Sequence, residues 1–150
     1  MADPKFLVLG SNSFSGASFV DFLAEQGHDV VATSRSAEPH AAMLPYKWQK
    51  RKGAVRFEKV DLNHDLHGLA ALLKRERFTH VVNFAAQSMV GQSWDHPDDW
   101  MMTNVVATAR LYVLLCGLDF LDRYVHVTTP EVYGSTDGWI REDAPFNPST

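Results

Sequence analysis

Gly10 and Gly16 bracket the stretch Gly10-Ser11-Asn12-Ser13-Phe14-Ser15-Gly16, which comes directly after the short apolar run Phe6-Leu7-Val8-Leu9. A strand that ends in a turn of small residues and feeds a helix presents unpaired N–H groups at the positive end of the helix dipole. That arrangement suits a pyrophosphate. Gly10 can take the backbone angles of a sharp turn, and Gly16 lets the helix pack closely on the strand. Asn12, Ser13 and Phe14 lie in the same turn, with Ser13 at the place of the middle glycine of the usual pattern. An ordinary strand-to-helix turn is the plainer reading, but the residues at the ends of the later strands favour the binding one.

Further chemistry is placed at the ends of later apolar runs. Ser34-Arg35-Ser36 follows Asp29-Val30-Val31-Ala32-Thr33 without a carboxylate until Glu38. An acidic residue there would accept from an adenosine 2′-hydroxyl. A guanidinium flanked by hydroxyls instead favours a 2′-phosphate, hence NADP over NAD, unless Arg35 is a solvated loop residue. Asp61 and Leu62 end the alternating run from Val55 to Val60. The carboxylate can accept from an adenine amino group while Leu62 packs on the ring, or Asp61 simply opens the turn before the next helix. Phe78 to Ala86 forms a fourth strand ending in Phe84, Ala85 and Ala86, and its small side chains let a ribose approach the backbone. Gln87 and Ser88 begin a polar loop at the carboxyl end of the sheet, where ligands bind in open α/β folds. Asn104 is polar in an apolar helical stretch and needs a partner or a task. After the strand Arg123 to Thr128, Thr129 reads as a helix N-cap, Pro130 as first helical residue and Glu131 as a match to the helix dipole.

The elements that position these residues alternate. Five apolar runs are separated by helical patterns: 17–26 with apolar residues at 19, 20, 22 and 23, 65–75 with Leu66, Leu69, Ala70, Leu72 and Leu73 on its buried side, and a long helix from about Pro97 to Cys116 carrying Val105, Ala109, Tyr112 and Val113. Right-handed crossovers then predict an α/β fold, a Rossmann-type doubly wound parallel sheet of order 3-2-1-4-5, over residues 1–150 as one dinucleotide-binding domain. The outer edge of the fifth strand is left uncovered. Residues 37–53, with the basic run Lys47 to Lys52, read as a solvated loop or short irregular helix. Tyr46 and Lys50 have Tyr-x-x-x-Lys spacing but come after the second strand, at the wrong end for catalysis.

With 45% hydrophobic and 21% charged residues, the 150-residue chain can build a real core. A net charge of -4 gives no encouragement to nucleic-acid binding, and the single cysteine, Cys116, excludes an intrachain disulfide. No apolar run approaches the ~20 residues of a membrane span, and the first strand begins too early for a signal peptide. The expectation is a cytoplasmic protein. His64 and His67 have no carboxylate or cysteine pattern around them, so no metal site is expected.

Together, Gly10-x-x-Ser13-x-x-Gly16, Asp61-Leu62, Asn83-Phe84-Ala85-Ala86-Gln87-Ser88, Asn104 and Thr128-Thr129-Pro130-Glu131-Val132-Tyr133-Gly134 resemble the extended short-chain dehydrogenase/reductase family. Within it the nucleotide-sugar 4,6-dehydratases, acting on GDP-mannose or dTDP-glucose, are most similar. The resemblance implies oxidation at the sugar C4, removal of the C5 proton, loss of water from C6 and return of the hydride. It implies that Thr129 holds the C4 oxygen and Glu131 is the C5 base. Gln87 and Ser88 would lie near sugar and nicotinamide, Asn104 near a lysine, and Thr128 against the cofactor. The closing Glu142 to Thr150 matches the stretch that precedes a catalytic Tyr-x-x-x-Lys in the family. The chain is therefore expected to correspond to the N-terminal half of a homodimeric or homotetrameric enzyme and to show no turnover alone. Pro130 stands where dTDP-glucose dehydratases carry an acidic aspartate, Met89 where histidine is common, and Ala107 where glycine is common. A 4-epimerase or reductase of the same family, or a non-catalytic dinucleotide-binding protein, remains the alternative.

Overall fold

The computed structural model describes residues 3–149. Five strands form one parallel sheet: β1 (Phe6–Leu9), β2 (Val30–Ser34), β3 (Val55–Lys59), β4 (His80–Asn83) and β5 (Arg123–His126), in the order β3-β2-β1-β4-β5. The expected order is the observed one. β1 is central, and Leu9 stands opposite Thr33 of β2 and Asn83 of β4.

Alternation along β1 assigns its side chains to two cores. Leu7 and Leu9, with Val31 and Val81, face α2 (Leu66–Glu76) through Leu69, Leu72 and Leu73. The same core takes Leu111 and Leu115 from α5 (Thr108–Cys116). Val8, with Val30 and Ala32, faces Ala17, Val20 and Leu23 of α1 (Phe14–Gln26). Helices on both faces make the sheet doubly wound, and its central strands are nearly all apolar as two-sided burial requires. Gly27, in the left-handed region at φ 96°, ends α1 with its N–H on the Ala24 and Leu23 carbonyls.

Several elements differ from expectation for local reasons. β4 closes at Asn83, because the Asn83 side chain takes the Ala85 N–H that would extend the strand. The long helix is three segments in succession: α4 (Pro97–Trp100), a π-helical stretch (Met101–Ala107), then α5. A short helix, α3 (Val90–Asp95), precedes them. The wide turns shift the apolar register, so Ala107, Thr108, Leu111 and Leu115 are buried, while Val105, Tyr112 and Val113 are exposed. Phe22 is exposed as well, since α1 presents Val20, Leu23 and Ala24 inward.

Residues 37–53 are more ordered than a solvated loop. Two short 3-10 turns, Ala41–Met43 and Pro45–Lys47, fold Leu44 and Tyr46 into the α1 core. Arg51 of the basic run grips both oxygens of Asp21 on α1, and Lys47 pairs with Glu38. The loop is thus fastened to the body by both its apolar and its charged residues.

Removing Leu111, fully buried against α2 and the sheet, should leave a cavity. Leu111→Ala is expected to lower the unfolding free energy by about 2–5 kcal/mol. Its exposed neighbour Arg110 should change stability by no more than about 0.5 kcal/mol on conversion to alanine. Urea denaturation of the two variants checks the register of α5.

Candidate functional site

The parallel arrangement brings the carboxyl ends of β1 to β4 to one edge of the sheet, and the residues just beyond each strand form a cleft of about 120 Å³ there. From β1 come Leu9, Gly10 and Ser13, and from β2 Thr33, Ser34 and Arg35. β3 contributes Val60, Asp61, Leu62 and Asn63, and β4 contributes Phe84, Ala85 and Ala86. Thr103 from the π-helical stretch completes the lining.

Gly10 sits at φ 79°, and a Cβ on it would lie 2.5 Å from the Ala85 nitrogen. A Cβ on Gly16 would lie 2.4 Å from the Gly10 carbonyl oxygen. Both glycines are therefore required by close backbone approach. Ser13 is the N-cap of α1: its hydroxyl accepts from Gly16 N at 3.1 Å and donates to Gly10 O at 2.8 Å. Serine at the place of the middle glycine thus closes the turn by capping. The Thr33 carbonyl accepts from Gly10 N, Ser11 N and the buried Ser11 hydroxyl, which ties the turn to β2. Asn12 donates to Ser36 Oγ and to the Ala37 carbonyl, anchoring the loop that carries Arg35.

Arg35 is exposed on the cleft and forms no ion pair among the described residues. Glu38, the next carboxylate along the chain, is held elsewhere by Tyr46 and Lys47. Asp61 opens the turn before α2 and also lines the cleft. Its Oδ1 accepts from Asn63 N and its carbonyl from His64 N and Asp65 N. Asn63 and Thr103, which sequence reasoning missed, are joined at 3.0 Å. Asn63 Oδ1 is buried with no hydrogen-bond partner, as is Asn12 Oδ1. The only signal for Asn63 was its position two residues beyond Asp61.

Asn104 has found its partner. Its Oδ1 accepts from Gln87 N and its Nδ2 donates to Gln87 O, both at 2.9 Å, so one side chain pins the loop after β4. Asn104 sits on the π-helical stretch, a geometry that recurs at functional sites. Asn12, Phe14, Gly16, Gln87, Asn104 and Thr128 do not line the cleft themselves. Thr129 and Glu131 also lie outside it, exposed at the 3-10 turn Pro130–Tyr133 beyond β5. There Thr129 Oγ1 accepts from Glu131 N at 3.3 Å, the capping role that local physics assigned. A broader hollow of about 490 Å³ lies beside that turn, between Tyr133 and Asn147. Ser88 is exposed in the loop after Gln87.

A model of the family described as GDP-mannose 4,6 dehydratase matches residues 7–150. The chain belongs to that family. A UDP-glucose 4-epimerase of Mycolicibacterium smegmatis is 34% identical over 97% of this chain and 46% of its own length. A dTDP-glucose 4,6-dehydratase of Haemophilus influenzae is 26% identical over 97% of this chain and 46% of its own. The solved structure of MoeE5 in complex with UDP-glucose and NAD is 30% identical, with a TM-score of 0.78, over 96% of this chain and 42% of that one. The chain spans about half the length of the relatives it matches. Similarity therefore runs to both dehydratases and epimerases of nucleotide sugars. Among the described residues no group of three His, Cys, Asp or Glu could hold a metal ion, and no helix is long and apolar enough to cross a membrane.

Tyr46, whose spacing to Lys50 imitates a catalytic pair, is unsuited to accept a proton. Burial, and then its hydrogen bond to Glu38, push its hydroxyl well above the ordinary value of 10.0. Burial also pushes Tyr124 up to about 12. The unfolded chain releases these protons near the ordinary value while the folded one holds them. Stability should therefore fall as pH rises past 10. Urea unfolding measured on either side of that pH should show the decline, and Tyr46→Phe should remove part of it.

Proposed function

We propose that the chain binds a nicotinamide dinucleotide in the β1–β4 cleft and carries part of the active site of a cytoplasmic nucleotide-sugar 4,6-dehydratase. One observation carries this reading: a single cleft gathers the Gly10–Ser13 turn, Arg35, Asp61-Leu62 and Phe84 to Ala86. The cleft fits such a group on its own terms. Its glycine turn exposes backbone at a helix N-terminus, Arg35 has no ion-pair partner among the described residues, and Asn63 Oδ1 is a buried acceptor awaiting a donor. When bound, the nicotinamide supplies a hydride acceptor that can later give the hydride back.

The residues of this chain then divide the work. The first turn of α1 and Ser13 hold the pyrophosphate, Asp61 accepts from the adenine amino group, and Arg35 pairs with a 2′-phosphate. Arg35 supports NADP, whereas MoeE5, which was solved with NAD, supports the alternative. Gln87, pinned by Asn104, and Ser88 lie on the sugar side. Thr129 positions the C4 oxygen, and Glu131 takes the C5 proton and returns one to the departing C6 hydroxyl. Pro130 carries no proton, so Glu131 serves in both directions. The tyrosine that accepts the C4 hydroxyl proton is not among these residues, because the only Tyr-x-x-x-Lys spacing is Tyr46 to Lys50. The 150 residues alone are therefore expected to bind without turnover. The active enzyme would be a homodimer or homotetramer. The relative from Mycolicibacterium smegmatis supports a second reading, a 4-epimerase, in which Glu131 only starts the turn.

Titrating NADP and NAD into the protein tests the cleft. NADP should bind more tightly, and Arg35→Ala should weaken NADP alone by roughly 1.5–3 kcal/mol, the value of a hydrogen bond to a charged group. Equal affinity for the two, unchanged in the variant, would remove the 2′-phosphate assignment. In the enzyme that contains this chain, Glu131→Gln should still reduce cofactor on adding nucleotide sugar. Elimination should slow by roughly 10²–10⁴, the contribution of a positioned general base. Rapid dehydration by that variant would favour the epimerase reading.

A further inference from the structure

Behind the cleft, on the side of the sheet covered by α5, lies a polar cluster that the proposed reaction does not use. Asn83, the last residue of β4, is completely buried. Its Oδ1 accepts from Ala85 N at 2.9 Å. A backbone N–H can only donate, so this contact fixes which end of the amide is oxygen. Asn83 Nδ2 therefore points the other way, 3.3 Å from Tyr124 Oη and 3.2 Å from His126 Nδ1. Tyr124 Oη lies 2.9 Å from the same ring nitrogen. Asn83 donates to the phenol and the phenol donates to Nδ1. In this arrangement Nδ1 is bare and the imidazole is neutral with its proton on Nε2, and Asn83 Nδ2 meets an acceptor on both sides.

We propose that Asn83 is a positioning residue for the dinucleotide cleft and that His126 sets its orientation, so that protonation of His126 weakens dinucleotide binding. This control presupposes that the β1–β4 cleft holds the dinucleotide, as proposed for the function. A proton on Nδ1 faces the Asn83 amide with donor against donor. Turning the amide satisfies His126 and Tyr124 but places –NH₂ against Ala85 N–H, which then loses its acceptor in a buried setting. Ala85 is the point at which the two turns of the cleft touch. Its nitrogen is where a Cβ on Gly10 would collide, and both Ala85 and Gly10 line the cleft. A local polarity change behind the sheet is thus converted into displacement of the cleft wall.

The surroundings of His126 leave its proton as the variable. The titratable groups packed against it are Tyr124 on its own strand and Tyr112 on α5, whose ring lies 6.1 Å away, while β4 offers only the uncharged Asn83. No carboxylate pairs with His126 among the described residues. Burial holds its pKa below the ordinary imidazole value of 6.5. The neutral set is therefore complete at neutral pH. The penalty on binding begins only as pH falls through the depressed pKa of His126 in the free protein and grows below it.

NAD is the appropriate probe, since it lacks a 2′-phosphate that would titrate in the same range. Its dissociation constant, read from tryptophan fluorescence, should rise roughly 5–30-fold between about pH 8 and about pH 5, the population factor of one buried interaction. His126→Gln keeps an acceptor and cannot titrate, so it should bind NAD as wild type does at the higher pH and lose the dependence. In the wild-type protein without NAD, the Ala85 amide resonance should move along the His126 titration. Two results would overturn the inference alone: the same pH profile in His126→Gln, or an Ala85 resonance indifferent to the His126 titration. Absence of NAD binding at either pH would instead overturn the cleft reading itself.

Discussion

The contact between Gly10 and the Phe84–Ala85 backbone is the constraint on which the remaining geometry depends. With no room for a Cβ, two neighbouring strands of the sheet, β1 and β4, end against each other at backbone distance. Everything that forms the cleft is arranged around that touch. Ser13 closes the turn from one side, and Asn83 holds Ala85 from the other. Thr33 gathers the Gly10 and Ser11 amides toward β2. A glycine chosen for its left-handed φ alone could be moved along the turn. One chosen also for contact with a neighbouring strand cannot, which couples the local backbone choice to the order of the sheet.

The similarity runs to dehydratases and epimerases alike, and in the proposed reading the frame handles the cofactor while the chemistry depends on one exposed turn beyond β5. Pro130 fixes the backbone at the first position of that turn, and Thr129 caps it. Glu131 is thereby displayed on a short rigid element, whether as base or as a structural residue. In the proposed reading the two activities would differ in what happens at C5, and this one carboxylate would be where they diverge.

Periodicity made the sheet order legible because β1, β2 and β4 are two-sided and apolar, and such runs between helical patterns leave few topologies. Gly10, Arg35, Asp61 and Ala85 were readable because each stands within two residues of the end of a strand, where parallel geometry gathers residues irrespective of side-chain detail. The burial of the long helix was not readable. Val105, Tyr112 and Val113 have sound helical spacing, but π-turns at Met101–Ala107 rotate them outward. Leu44 and Tyr46 looked like loop residues because prolines and lysines surround them, yet two 3-10 turns carry them into the core. Asn63 and the Asn83–Tyr124–His126 cluster were invisible for a different reason. Asn63 meets Thr103 of the π-helical stretch 40 positions on, and Asn83 meets Tyr124 and His126 by pairing of β4 with β5 more than 40 positions on, which no local pattern encodes.

The central position of β1 also has a consequence for the birth of the protein. Synthesis runs from the N-terminus, so of the five strands Phe6–Leu9 leaves the ribosome before the others, and β2 can pair with it early. The other flank must wait for β4, and the Lys5 carbonyl meets its Thr79 and His80 amides only after some 74 further residues have been made. Throughout that interval one apolar edge of the eventual core stands open, and α1 covers only a single face of it. Parallel pairing of this range is slow and leaves surface exposed to misassociation. The strand that organises the finished molecule is therefore the one most in need of shelter while the molecule is unfinished.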